Sequence, residues 1–266
     1  MNNPHSYPRG QQKWPPKDQM VMGIHAIHEL LLHAPDRLIR VFTVPPQGGR
    51  KSELLKTCEE HQIQVVFVKE DELTAMTGSD SHQSFAAHIK GRHFYDVKEF
   101  IEKTEESDSV FVLMLDQIFD PQNFGSLIRS AECLGADAVA WSKNRGSDLT
   151  PVAAKASCGA SELLPLIRIS NLADGVEQFK KGGFEIIASL LDPSSENAFE
   201  FTFAPKTVLI MGSEGEGIQP LLRKKADRSI YIPMKGKIQS LNVAQATAVL
   251  LALRAKNEPK TQVFKN

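Results

Sequence analysis

The sequence predicts an α/β protein built on parallel strands and divided into two successive domains. Short apolar runs alternate with helical patterns from about Val21 to His93, and again over 109–257, which is the mark of α/β units. In the second half those runs are continuous and rich in Val, Ile and Leu, as expected of parallel strands covered on both faces. The chain has 266 residues, enough for one large domain or two modest ones. A polar stretch, GRHFYDVKEFIEKTEESDS (91–109), reads as the linker between two.

Taken in order, residues 1–18 are Pro-rich and polar and read as a disordered basic arm. The first domain, 19–93, opens with a helical pattern, GIHAIHELLLH, followed by the apolar run LIRVFTV. The pair repeats as SELLKTCEEHQ with IQVVFV, and then as EDELTAM with SFAAHI. The linker, 94–108, holds one short helix at about 96–104. The second domain, 109–257, begins with VFVLML, a helix from about Phe124 to Leu134, DAVAW and a helix near 151–157. It continues through LPLIRI, NLADGVEQFKK, FEIIAS, TVLIMG, a short helix near 218–224, SIYIPM and a long helix over 241–256. The tail, 258–266, reads as flexible.

Composition removes several classes. Cys58, Cys133 and Cys158 are odd in number and lack CxxC spacing, so they form neither a disulfide framework nor a zinc ribbon, and a reducing, cytoplasmic compartment is expected. The N-terminus carries no apolar signal region, and no run of about 20 apolar residues spans a membrane. His28 and His33 mimic a zinc-protease HExxH, but they stand five apart; the extra residue turns the second about 140° away from the first, and no metal site is expected. No GxxxxGK[ST] loop and no GxSxG elbow is present. The 31 Lys+Arg against 32 Asp+Glu give a near-neutral charge that by itself argues against a nucleic-acid partner, whose phosphates want Lys and Arg.

Three segments carry chemistry. In Leu115–Ala131, an apolar strand ends in a polar loop that turns at Asp120-Pro121, and a helix follows with Asn123 in capping position. Leu127, Ile128, Ala131 and Leu134 form its buried stripe; Ser126, Arg129, Ser130 and Cys133 share the other face. Asn123, Ser126 and Arg129 follow one line from the carboxyl end of the strand, where open α/β sheets bind ligands. In Val208–Ile218 a buried strand delivers a glycine-rich bend, GSEGEG, with Glu214 at its rim. Its GxxGxG spacing and two carboxylates do not suit a dinucleotide pyrophosphate, whereas its backbone can approach a ligand closely. In Ile230–Ala246 a strand stops at Pro233, a loop with Lys235 and Lys237 follows, and Ser240 or Asn242 opens a long helix.

At these residues the chain resembles the SpoU/TrmH family of RNA ribose methyltransferases, in the SPOUT superfamily. The family's three motifs read approximately N-x-G-x-x-x-R, G-x-E-x-x-G after a strand, and I-P-M-x-G-x-x-x-S-L-N-V. They match Asn123–Arg129, Gly212–Gly217 and Ile232–Ala244. The N-terminal half resembles the ribosomal-protein-like substrate domain of the subgroup that methylates a guanosine of large-subunit rRNA, through Val21–Ile27 and Ser81–Ser84; where members often have His-Gln-Gly, this chain has Ser84. The resemblance implies a SPOUT domain with a parallel sheet and a deep trefoil knot. It implies S-adenosyl-L-methionine held by backbone groups of Gly212, Ile232 and Leu241, and a homodimer acting on RNA. It places Asn123, Arg129, Glu214, Ser240 and Asn242 in the catalytic site, with Arg129 central. An arginine stays protonated up to a pKa above about 12 and so suits a phosphate clamp and alkoxide stabiliser better than a base. Two alternatives stand beside this: a tRNA ribose methyltransferase of the same family, and a non-catalytic RNA-binding or ribosome-assembly factor. The near-neutral charge then implies local phosphate contacts, at the Lys235–Lys237 loop and Arg223-Lys224-Lys225, and recognition by shape.

Overall fold

A computed structural model describes residues 15, 16, 19–45, 50–213, 215–238 and 240–256. The arm, apart from Pro15 and Pro16, the 258–266 tail and Glu214 lie outside the described residues. The chain divides into two compact units, one of 1–93, 124–129 and 148–163, the other of 94–123, 130–147 and 164–266. Among the described residues no helix is long and apolar enough to cross a membrane.

The first unit contains β1 (Met20–Met22), α1 (Ile24–His33), β2 (Leu38–Thr43), α2 (Arg50–Glu60), β3 (Gln64–Phe67), α3 (Glu70–Thr77) and β4 (Phe85–Ile89). Its sheet runs β1-β4-β2-β3, with β2 and β3 parallel and β4 antiparallel to both β1 and β2. The two-residue period of a strand explains its layers. Val41, Phe85 and Ala87 face α1 and α2, joining Ile27, Leu30 and Leu54 in one core, whereas Phe42 and Ala86 face Leu73 and Met76 of α3 in another. Cys58 lies in the first core, and burial pushes its thiol up to about 11. At pH 8 it is therefore expected to resist iodoacetamide in the folded protein, while the exposed Cys133 is alkylated. Equal labelling of the two by mass spectrometry would contradict this core.

Gln83 and Ser84 both hold left-handed backbone, φ 56° and 62°. Ser84, where members often have glycine, thus takes a backbone conformation that favours glycine. Its carbonyl accepts Thr43 Oγ1 at 2.7 Å, which ties the bend to β2.

The second unit contains β5 (Phe94–Tyr95), α4 (Val97–Lys103) and β6 (Val110–Leu115). α5 (Pro121–Cys133) is one continuous helix whose residues 124–129 count with the first unit, as do α6 (Pro151–Ala156) and α7 (Ala160–Leu163). Between and after these come β7 (Ala138–Ser142), β8 (Leu166–Ile169), α8 (Leu172–Lys181), β9 (Glu185–Ser189) and β10 (Glu196–Asn197). β11 (Lys206–Met211), α9 (Pro220–Lys225), β12 (Arg228–Tyr231) and α10 (Val243–Ala255) complete it. Eight strands form one sheet in the order β10-β12-β9-β11-β6-β7-β8-β5. Every pairing is parallel. All six residues of β6 are buried, so its run is continuously apolar.

Three details differ from the sequence reading. The supposed linker is built into the second unit: Phe94 and Tyr95 pair with Leu166 and Ile167, and Val97 and Phe100 join the sheet's core. α5 begins at Pro121, and Asp120 rather than Asn123 caps it, accepting the amides of Gln122 and Asn123. An aspartate N-cap followed by proline at the first helical position satisfies that end without needing Asn123. The short strand β10 was not foreseen.

Candidate active site

The loops following β6, β11 and β12 leave the carboxyl ends of parallel strands in the second unit. After β6, the fully buried Asp116 accepts both the backbone NH of Gln219 at 2.7 Å and its side-chain amide at 2.6 Å. This carboxylate joins the loop after β6 to the start of α9. Inaccessible to water, it meets its hydrogen-bonding need through those two donors.

The first and third motifs meet directly. Asn242 Nδ2 donates to Asn123 Oδ1 at 3.1 Å, and Asn242 Oδ1 caps α10 by accepting Ala244 N at 2.9 Å. Because the oxygen is committed to the cap, the nitrogen must face Asn123, which fixes the orientation of both amides. Of the two candidates for opening α10, Asn242 therefore caps it, and Ser240 and Leu241 stand exposed just before. Asn242→Ala is expected to cost about 0.5–2 kcal/mol of stability and Ser240→Ala close to nothing, as read from urea unfolding.

The second motif is a closed bend. Ser213 and Gly217 bridge, with Gly217 N donating to Ser213 O at 3.0 Å and Gly217 at φ 69°. A Cβ on Gly212 would lie 2.3 Å from Gly217 C and 2.4 Å from Ile218 N. Only glycine permits this approach. Ile232 is half-buried directly after β12, and Lys235 and Lys237 are exposed beyond it.

Arg129 belongs to the first unit and is exposed; its Nη1 donates to Cys158 Sγ at 3.4 Å. Cys158 and Gly159 take left-handed backbone, φ 51° and 98°. Gly125 lets α5 lie against α6, since a Cβ there would come within 2.2 Å of Ala153 O. In the same unit the buried Glu162 accepts a hydrogen bond from Arg92 Nε at 2.8 Å and forms an ion pair with Arg37, whose Nη2 lies 2.9 Å from its Oε2.

Residues 110–252 match the SpoU rRNA Methylase family, and residues 20–95 match the family described as RNA 2'-O ribose methyltransferase substrate binding. The chain belongs to the SpoU rRNA methylase family. Relatives named 23S rRNA (guanosine-2'-O-)-methyltransferase RlmB, from Haemophilus influenzae and Escherichia coli K12, are each 32% identical over 234 residues. That is 88% of this chain and 95% and 96% of theirs. Among solved structures, a putative RNA methyltransferase of the TrmH family from Porphyromonas gingivalis is similar at TM-score 0.70 and 23% identity, over 90% of both chains. An AdoMet-bound rRNA methyltransferase from Sinorhizobium meliloti is similar at TM-score 0.70 and 23% identity, over 89% of this chain and 86% of its own. These two share the fold.

In this SpoU family member a cavity of about 640 Å³ is lined by Gly215–Gly217 of the second motif together with Leu190, Leu191 and Asp192 after β9. A hollow of about 430 Å³ shares Leu191 and Asp192 with it and adds Tyr231, the residue before Ile232. Hydrogen bonds from the hydroxyl and backbone NH of Ser194, together with the nearby Arg223, hold the Asp192 carboxyl below the usual carboxylate range. The loop after β9 was missed in the sequence. Its signal was there: the polar DPSS follows an apolar run, as the motif loops do. Gly212, Ile232 and Leu241 do not line either space. Among the described residues no group of three or more His, Cys, Asp or Glu side chains could hold a metal.

Proposed function

We propose that this protein methylates a ribose 2′-hydroxyl of large-subunit rRNA, with a guanosine as the target and S-adenosyl-L-methionine as the methyl donor. The observation that carries the reading is the Asn242–Asn123 hydrogen bond, which joins the first and third motifs of a chain that matches both the methylase and the substrate-binding families. The relatives named as 23S rRNA guanosine methyltransferases support the choice of RNA and nucleoside.

The residues present fit the cofactor. The bend at Gly212 is closed so tightly that it offers backbone rather than side chain, and Asp192 and Glu216 set carboxylates on the adjoining cavity. Backbone groups of Gly212, Ile232 and Leu241 would hold the adenine, and the carboxylates suit the cationic remainder. When bound, the cofactor supplies an electrophilic methyl on a sulfonium.

This chain's own groups have two tasks: to align a poor nucleophile and to manage its proton. Arg129 clamps the target phosphate with its guanidinium fork and stabilises the alkoxide as it develops, the hydroxyl proton passing to water. Asn123 and Asn242, locked to each other, orient the ribose; Ser240 and Glu214 complete the polar set. Alignment of this kind contributes several kcal/mol to such a barrier. The same proposal includes the homodimer and the trefoil knot that the family resemblance implies.

Incubation with labelled S-adenosyl-L-methionine and deproteinised 23S-type rRNA or tRNA, followed by mapping of ribose methylation, tests the reading. Label on a guanosine ribose of rRNA is expected. Label on tRNA alone would reassign the substrate, and label on neither, including ribosome-assembly intermediates, would overturn the activity. Sedimentation in the same buffer is expected to give the mass of a dimer.

A further inference from the structure

The second unit holds another hollow, of about 420 Å³, at the carboxyl ends of β7 and β8, with none of the motif residues in its lining. Its polar lining includes Asn144, Arg145, Asn171 and Gln219 beside Ser142 and Ser170, with Leu221 and Leu222 on an apolar side. No carboxylate lines it, in contrast to the 640 Å³ cavity, which carries Asp192, Glu196, Glu216 and Asp227.

The loop that presents Arg145 is braced on both sides. Ser147 N donates to Ile118 O at 2.6 Å, and Gly146, at φ 122°, lies so close to Ile118 that a Cβ would meet its carbonyl oxygen at 3.0 Å. On the other side Asn144 Nδ2 donates to Ser170 O at 3.2 Å. Arg145 Nη1 donates to Gln219 Oε1 at 2.6 Å, and the amide nitrogen of Gln219 is held by the buried Asp116. That commitment of the nitrogen turns the Gln219 oxygen toward Arg145, so the guanidinium is aimed through a relay that begins at the end of β6. A guanidinium carries five donors in a rigid fork, and this one remains exposed. Leu221, 55% exposed, offers a flat apolar contact beside it.

We propose that this hollow is a nucleotide subsite for the RNA strand flanking the target, with Arg145 on the phosphate, the Asn144 and Asn171 amides on base edges and Leu221 against the base. One cation, several amides and an apolar wall without an acid match an unpaired nucleotide, the form in which RNA is read by side chains. The inference rests on the proposed RNA methylation and extends it to positioning of the strand.

The test uses the full chain and deproteinised rRNA, with the RNA concentration varied. Arg145→Ala is expected to raise the RNA KM roughly 10-fold, the loss of one charge-assisted contact, with kcat at saturating RNA and cofactor affinity unchanged. The slope of log affinity against log salt should flatten by about 0.7–0.9. Leu221→Glu, a change at an exposed position, should raise KM in the same direction, and Lys98→Ala, on the surface of α4, should not. KM values for Arg145→Ala and Leu221→Glu equal to the unaltered protein's would overturn the subsite, as would an equal rise with Lys98→Ala or a fall in kcat at constant KM. If the unaltered protein methylates no RNA, the activity reading fails separately; retention of rRNA on filters by the same variants then decides the subsite, weaker for Arg145→Ala if it exists and equal if it does not.

Discussion

Arg129→Ala is expected to lower the rate of methyl transfer by roughly 10²–10³-fold, the usual loss when one preorganised charge is removed from a developing anion, with cofactor affinity unchanged. The side chain is exposed and donates to the Cys158 thiol at 3.4 Å, so its charge is available to a phosphate or an alkoxide. For the same reason its removal should leave stability within about 0.5 kcal/mol of the starting value. Arg129→Lys keeps the charge but loses the planar fork, and should recover only part of the rate. Single-turnover kinetics with equilibrium dialysis separates the two effects. A variant with full rate would remove Arg129 from the chemistry, and one that lost cofactor binding as well as rate would move it to the cofactor.

Gly212→Ala is the second large effect. The added methyl would meet Gly217 C, Ile218 N and Gly217 O at 2.3, 2.4 and 2.5 Å, all of them backbone atoms that cannot swing aside. The bend must open, and forcing an extra carbon into a packed site costs about 1–3 kcal/mol or more. If the bend holds the cofactor, affinity should drop about 10-fold or more. Gly91, in the first unit, is the control, because a Cβ there meets only Gln19 Nε2 at 3.9 Å and Gly91→Ala should bind the cofactor normally. Equal affinities for the two variants, measured by titration calorimetry, would take the cofactor away from this bend.

Much of the fold was legible because its strands are buried on both faces. VFVLML, TVLIMG and FEIIAS could not be read as anything but interior strands, and the helices between them carried their own period. What stayed hidden depends on partners far along the chain. β10 is a pair of polar residues, Glu196 and Asn197, made a strand only by β12. Phe94 and Tyr95 sit in a charged stretch, and nothing local announces that β8 will receive them. The site divides the same way. Asn123, Gly212 and Asn242 stood out by motif, and the tight bend at Gly212 has the glycine it requires. The role of Asp116 did not, since a lone aspartate after a strand looks like any loop residue until Gln219 folds over it. Asn123 was mistaken for a cap because Asp120-Pro121 also reads as a turn; both readings use the same two residues, and only the backbone distinguishes them.

The strand order of the eight-stranded sheet also bears on how the protein is made. One side of β6 can be paired as soon as β7 has been synthesised, but on the other side residue 110 must wait for residue 206. β5 likewise waits for residue 166. Such long-range pairings must close a large loop before any contact rewards them, and they fold slowly. Val110–Leu115, wholly interior in the finished protein, is therefore an uncovered apolar edge on the nascent chain through most of translation of the second half. The methylase half is expected to close late and nearly all at once, and to depend on cover from chaperones until β11 has left the ribosome.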